Sequence, residues 1–594
     1  MNLHWKPATL FLAVLCCPAL AQNPVRYTID LANPAKHEVQ ITMTIPPGAG
    51  EHELQLPVWN ALYQVRDFSQ YLQWVRAEGM DGRSLVLQQL NPSRWRIADA
   101  ARGARVRYQV FADNPGPYGA QLNSRHAFFN LAEVLIYVED LRGAPVQVEF
   151  HSVPAPWKIA TALGRQSEGF AAGSYDQLVD SPVEIGAFLE QDFPAACGQY
   201  RVVFDAGEGG DVKAALDRLV PALVRIVNTA SAWMDDCPFH TYLFIYHISD
   251  ASGGGMEHAF SSAITLPEKD FAAGARAVGI SAHEFFHLWN VKRIRPQSLE
   301  PVDYTKENYT PALWFSEGVD STAGEYIQLR AGLQDERRYL EHLSQQITEL
   351  EGRPARRTQS AEQSSLDAWL EKYPYYGLPE RSISYYNKGE LLGVLLDLSM
   401  RETSGDRASL RELFRWMNDH YARQGKFFAD SEAVREAAEA VSHAGLREFF
   451  QKYVSGVEEI PWDRFFARVG LRVERTEVAW ADPGFEAVRN FDQSVFVVHV
   501  EPGGEAERAG LREGDIILRI NGEVPGPNLR RELTGLAPGS TLHLEISRER
   551  VKQTLHWMVG KRSGVVFRLQ DVPGVTAEQR AHRAAWLFGE TGKN

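Results

Sequence analysis

The pentapeptide His283-Glu284-Phe285-Phe286-His287 constrains this chain more than any other stretch. It lies in an apolar run, Ala277 to Val291, with no proline and only Gly279 to weaken it. The run predicts a helix, on which residues four apart share a face. Two neutral imidazoles one turn apart can grip one Zn²⁺ at roughly 2.0–2.1 Å each. Glu284 then sits beside the metal, where a carboxylate can take the proton of a water whose pKa zinc lowers from about 15.7 to about 7. A pair of histidines in a buried helix is the competing reading, and the rest of the chain has to decide between them.

Two histidines and a water leave one tetrahedral position, for which Glu300, Glu307 and Glu317 are downstream candidates. Glu317 stands in Leu313-Trp314-Phe315-Ser316-Glu317-Gly318, among apolar neighbours that predict burial. A buried carboxylate is rare unless paired or metal-bound. A glutamate meeting the dipole of a helix start is the alternative. Asp320, one turn on, is a candidate to receive the second N–H of a ligating histidine.

A chain of 594 residues implies several domains. Its net charge of −14 argues against nucleic acid or an anionic membrane as the main partner. Residues 1–21 read as a secretory signal peptide: Lys6, the short apolar run Ala8 to Cys17, then Ala19-Leu20-Ala21 as a cleavage site before Gln22. The run is too short to span a bilayer, so the expectation is a periplasmic or secreted protein with no membrane span in the mature chain. Cys197 and Cys237 then remain, and in an oxidising compartment they either pair or stay free.

Residues 22–200 alternate as short strands punctuated by Pro and Gly, which predicts an antiparallel β domain. Across 201–335 the period changes: Val212 to Met234 is helical in spacing and Thr241 to Tyr246 is a strong strand. Gly253-Gly254-Gly255-Met256-Glu257-His258 and a strand at Ser261 to Leu266 follow, then the zinc helix. Strands ahead of such a helix match a thermolysin-like catalytic domain. Helices dominate 336–480, with Gln359–Leu378 as a loop over the site. Residues 485–562 carry Ala509-Gly510-Leu511-Arg512-Glu513-Gly514-Asp515 and Asn521-Gly522, and this stretch resembles a PDZ domain. Ala481-Asp482-Pro483-Gly484 reads as a linker, and 563–594 as a C-terminal tail. The expected fold class is multidomain α+β.

Three stretches together are similar to the glycyl aminopeptidase family, a gluzincin zinc metallopeptidase family with a C-terminal PDZ domain. They are Gly253 to His258, His283 to Pro296 and Trp314 to Gly318. The resemblance covers nearly the whole mature chain. It implies one Zn²⁺ per chain held by His283, His287 and Glu317, and Glu284 as general base. It also implies a substrate site at Gly255, Met256 and Glu257, where Glu257 holds the free α-amine of a peptide. Tyr386-Asn387-Lys388-Gly389 is similar to a Tyr-x-Lys-Gly in the aminopeptidase N family, which implies that Tyr386 stabilises the oxyanion, with Tyr385 as its rival. The resulting expectation is an aminopeptidase releasing small N-terminal residues, Gly or Ala. The PDZ module would take a peptide or protein C-terminus. A zinc endopeptidase with PDZ-mediated substrate recruitment is the alternative, and a catalytically dead PDZ adaptor is a third reading.

Overall fold

The computed structural model describes residues 23–589 apart from 61–62, 206–211, 250–252, 371–378, 490–493 and 527–528, so the expected signal peptide, 1–21, lies outside the described residues. Inward-facing residues alternate along Val25–Asn33 and Glu38–Ile45, and this pattern builds the first domain. These strands join five others in a seven-stranded sheet, which shares one apolar core with two four-stranded sheets. Pairing is antiparallel as expected, except that Val25–Asn33 lies parallel to Val146–His151.

The sheet of the expected catalytic domain begins earlier than residue 200. Strands β1 (Leu189–Ala195) and β2 (Gly198–Asp205) form a hairpin and belong to it, so the expected boundary falls inside that hairpin. Strand periodicity is the same on both sides, and only the hydrogen-bonding partner changes. Cys197, in the hairpin turn with φ 73°, is disulfide-bonded to Cys237. Helix α1 (Val212–Met234) carries the chain back across the sheet, so β3 (Thr241–Ile248) runs parallel to β2. β3 is apolar along its length because both of its faces are covered. After β4 (Gly254–Glu257) and β5 (Ser261–Leu266) the order is β1-β2-β3-β5-β4, which leaves β4 on the edge.

Helix α2 (Ala275–Phe286) is shorter at its C-terminal end than the expected Ala277 to Val291. The apolar residues past it, Leu288, Trp289, Val291 and Ile294, are buried in turns, so burial rather than helix explains the run. A π-helical turn at Trp314–Val319 leads into α3 (Asp320–Arg330), then α4 (Glu336–Glu351) and α5 (Tyr385–Ser404). The expected loop Gln359–Leu378 contains a helix at Ala361–Leu366 and a 3₁₀ turn at Asp367–Leu370, and 371–378 lie outside the described residues.

The C-terminal third departs from the expected linker and tail. Strand β6 (Leu471–Asp482) pairs along its whole length with β7 (Gly560–Asp571). The five-stranded PDZ sheet, from Phe485–Arg489 to Val551–Met558, is inserted between them. Asp482 sits opposite Gly560, so the inserted module leaves and re-enters at one point. The tail is strand β7 followed by α6 (Ala577–Phe588), whose Trp586 is fully buried and donates from Nε1 to the Tyr326 hydroxyl at 2.7 Å. Among the described residues no helix is long and apolar enough to cross a membrane.

Candidate active site

His283 and Glu284 lie in the last turn of α2, and His287 caps it with helical backbone angles, so the one-turn relation survives the early end. The two Nε2 atoms face each other at 3.1 Å. Glu317 Oε2 lies 3.2 Å from His287 Nε2 and 3.6 Å from His283 Nε2. Three donor atoms thus converge on one point from α2 and the π-helical turn.

His287 donates from Nδ1 to the Asn290 carbonyl at 2.7 Å, which fixes its tautomer and leaves a lone pair on Nε2. Two facing lone pairs at that separation repel unless a proton or a metal ion lies between them, and the convergence of a third donor, Glu317 Oε2, fits the metal ion. Asp320 is fully buried behind both rings, 3.1 Å from His283 Nδ1 and 3.5 Å from His287 Nδ1. His283, His287 and Asp320 also form a grouping that could hold a metal. The fixed His287 tautomer favours the Nε2 side and Glu317, with Asp320 facing the Nδ1 of His283.

Electrostatics point the same way. Burial opposes charge on Glu317, yet the two imidazoles hold its carboxyl well below the usual range. Burial opposes charge on His283 too, and its Asp320 and Glu317 neighbours carry it up to about 10. Burial pushes Glu284 up to about 8, with Glu257 and Glu317 adding to it.

The glycine run owes its sequence to close approaches on both faces of β4. Gly254 has φ 130°, and a side chain there would meet the Tyr118 hydroxyl. A side chain at Gly255 would meet Glu284 Oε1. Successive residues of a strand face opposite ways. Gly255 and Glu257 accordingly turn toward α2, and Glu257, Glu284 and His287 cluster. Gly254 and Met256 turn toward the first domain, where Asn130 Nδ2 is 2.9 Å from the Met256 sulfur.

Tyr386, near the start of α5, has its ring centroid 6.2 Å from that of His283 and lines the cleft. Burial, with Glu317 beside it, raises its pKa and keeps the hydroxyl protonated. Tyr385 is fully buried and stays out of the lining. The cleft, about 290 Å³, contains every expected site residue: Gly255, Met256, Glu257, His283, Glu284, His287, Glu317 and Tyr386.

Residues of the first domain also line this cleft without any sequence signal, Tyr63, Tyr118 and Asp180 among them. Tyr118 and Tyr63 enter the cleft from loops, and Tyr63 adopts a left-handed backbone, φ 48°, that is unusual for an aromatic residue. Asp180 is 2.7 Å from Lys292 Nζ and 3.1 Å from His258 Nδ1, and it accepts from Ala259 N at 3.0 Å. Although burial opposes it, Lys292 and His258 hold its carboxyl well below the usual range. It ties the segment after α2 to the turn after β4.

Residues 26–187 match the Peptidase M61 N-terminal domain, 276–392 the M61 glycyl aminopeptidase domain and 468–545 a PDZ domain. The chain is similar to the crystal structure of an aminopeptidase N family protein from Idiomarina loihiensis, with a TM-score of 0.80 and 26% identity over 95% of this chain and 100% of that one. It is also similar to an M1 zinc metallopeptidase from Deinococcus radiodurans, at a TM-score of 0.45 and 14% identity over 75% of this chain and 97% of that one. Human tight junction protein ZO-3 is 42% identical over 82 residues, 13% of this chain and 8% of that protein. Two M61 domains, a PDZ domain and a structural likeness along nearly the whole length lead to one conclusion: the chain belongs to the M61 peptidases, the glycyl aminopeptidase family of metallopeptidases.

Proposed function

We propose that the protein is a zinc aminopeptidase that removes small N-terminal residues, Gly or Ala, from peptides. His283, His287 and Glu317 would hold one Zn²⁺ per chain. Bound there, zinc supplies a Lewis acid that polarises the scissile carbonyl and makes a water easier to deprotonate. Glu284 Oε2 is buried without a hydrogen-bond partner, so it is free to accept the proton of the attacking water and pass it to the leaving amine. The Tyr386 hydroxyl donates to the oxygen that gains charge.

The observation that carries the exopeptidase reading is Glu257, a carboxylate clustered with Glu284 and His287 on an edge strand. There it pairs with a substrate ammonium and anchors the chain one residue before the scissile bond. The family name supports Gly as the released residue, and a panel of unblocked tripeptides tests it.

Glu257→Ala is the test of the amine site. It should lower kcat/KM on free-amine peptides by about 10- to 200-fold, the loss of one charge-assisted hydrogen bond, and leave zinc content intact. Equal losses on free and N-acetylated peptides would take Glu257 out of the amine site and favour the zinc endopeptidase with PDZ-mediated recruitment. The PDZ module would take a peptide or protein C-terminus. Export to the periplasm or beyond rests on the leader, cut after Ala21, and is consistent with the Cys197–Cys237 disulfide. N-terminal sequencing of the mature protein checks it.

A further inference from the structure

β4 is the edge strand of the catalytic sheet and lines the cleft, between the first domain on one face and α2 on the other. Its residues mark positions along the cleft in order. Glu257 lies at one end, Glu284 packs over Gly255, and the Tyr118 hydroxyl packs over Gly254. Three residue steps lead from Gly254 to Glu257, about 10 Å of extended chain. That is the length of a short peptide running from its amine past the reacting bond. Counted along β4 from Glu257, the Tyr118 hydroxyl therefore stands one residue beyond the base and flanks the strand from the opposite face.

The hydroxyl is held in place. The Tyr118 carbonyl accepts from Asn60 Nδ2 at 2.9 Å, the Arg66 guanidinium lies 5.1 Å from the ring centre, and Gly119 packs against the Asn114 backbone where no side chain fits. None of these contacts uses the hydroxyl, which lies close to Glu284 and Glu257.

We propose that the Tyr118 hydroxyl donates a hydrogen bond to the backbone carbonyl of the first residue on the leaving side of the scissile bond, making the first domain a determinant of peptide over simple amide. The inference rests on the amine lying at Glu257. Tyr118→Phe removes the hydroxyl and keeps the ring under Arg66, so the fold stays intact.

The experiment compares Ala-Ala-Ala with alanine p-nitroanilide, which has no such carbonyl, using the full-length zinc enzyme. Tyr118→Phe should lower kcat/KM on the tripeptide by about 10-fold, the worth of one hydrogen bond, and leave the anilide rate and zinc content unchanged. An equal loss on both substrates, or no loss on either, overturns the inference. Release of free alanine by the unsubstituted enzyme tests the aminopeptidase reading separately, and without that release both fall.

Discussion

Gly255 sets how near the base can come to β4. At Gly255 a methyl group would meet the far end of the Glu284 side chain, which can swing away at little cost in stability. Gly255→Ala should therefore cost about 10²-fold in kcat, as misplacement by about 1 Å does, with melting temperature and zinc content little changed. A variant that loses stability instead would mean that the glycine serves the fold. Glu284→Gln keeps the shape and loses the base, so turnover should fall at least about 10²-fold with metal retained. Glu317→Ala should strip the metal, as elemental content would report, and full occupancy in that variant would remove Glu317 from the ligand set. His283, Glu284 and His287 were legible because a helix brings together what the sequence spaces four apart. Tyr63, Tyr118 and Asp180 were not, because loops a hundred or more residues upstream deliver them with no periodicity to betray it.

At the scale of elements, the site depends on two helical segments that touch backbone to backbone. Gly318 in the π-helical turn packs on Gly389 of α5, and a methyl at 389 would strike the Trp314 carbonyl. This contact brings the segment bearing Glu317 against the helix bearing Tyr386. Gly389→Ala cannot be relieved by a side-chain movement, so it should destabilise by about 1–3 kcal/mol and reduce activity, measured by thermal unfolding alongside turnover. Unaltered melting would show that the two segments can part without loss. Tyr386→Phe should cost roughly 2.7–4 kcal/mol of transition-state stabilisation, seen in kcat more than KM. The same loss from Tyr385→Phe alone would move the role to its neighbour. An apolar run announced α2, but the π-helical turn needs one extra residue per turn, a difference that hydrophobic spacing does not register. The end of α2 was hidden for a related reason, since buried turn residues after His287 are as apolar as helical ones.

Across the whole molecule, the ends of the chain matter more to the catalytic core than the order of domains suggests. A chain ending at Asp482 keeps β6 but loses β7 and α6, and empties the site of Trp586; burying such a side chain is worth about 3–5 kcal/mol. Deleting 483–559 and closing β6 to β7 with a short turn spares both elements. The shortened ribbon protein should melt close to the full chain and keep its metal, while the truncated one should melt far lower. Equal melting of the two would show α6 to be dispensable. Pro483-Gly484 was legible as a turn, but that it opens an insertion depended on a strand eighty residues away. The join between the first two domains carries a second test. His126 lies 3.1 Å from Glu184, which also meets His247 at 2.9 Å, with Asp205 beside them. Burial opposes charge on His126, yet Glu184 and Asp205 raise it to about 9. Its contribution is then full below the unfolded value of about 6.5 and is lost as pH rises through about 9, at most about 3 kcal/mol. His126→Gln should flatten melting temperature between those values, and an unchanged slope would assign the pH dependence elsewhere. The most direct measurement for the account as a whole is amino-acid release from one tripeptide, free and N-acetylated, with chelator and after zinc is restored. The account predicts release of the N-terminal residue from the free peptide only, abolished by the chelator and recovered with about one zinc per chain. Cleavage of the acetylated peptide at a comparable rate, or release that survives complete removal of zinc, would contradict it.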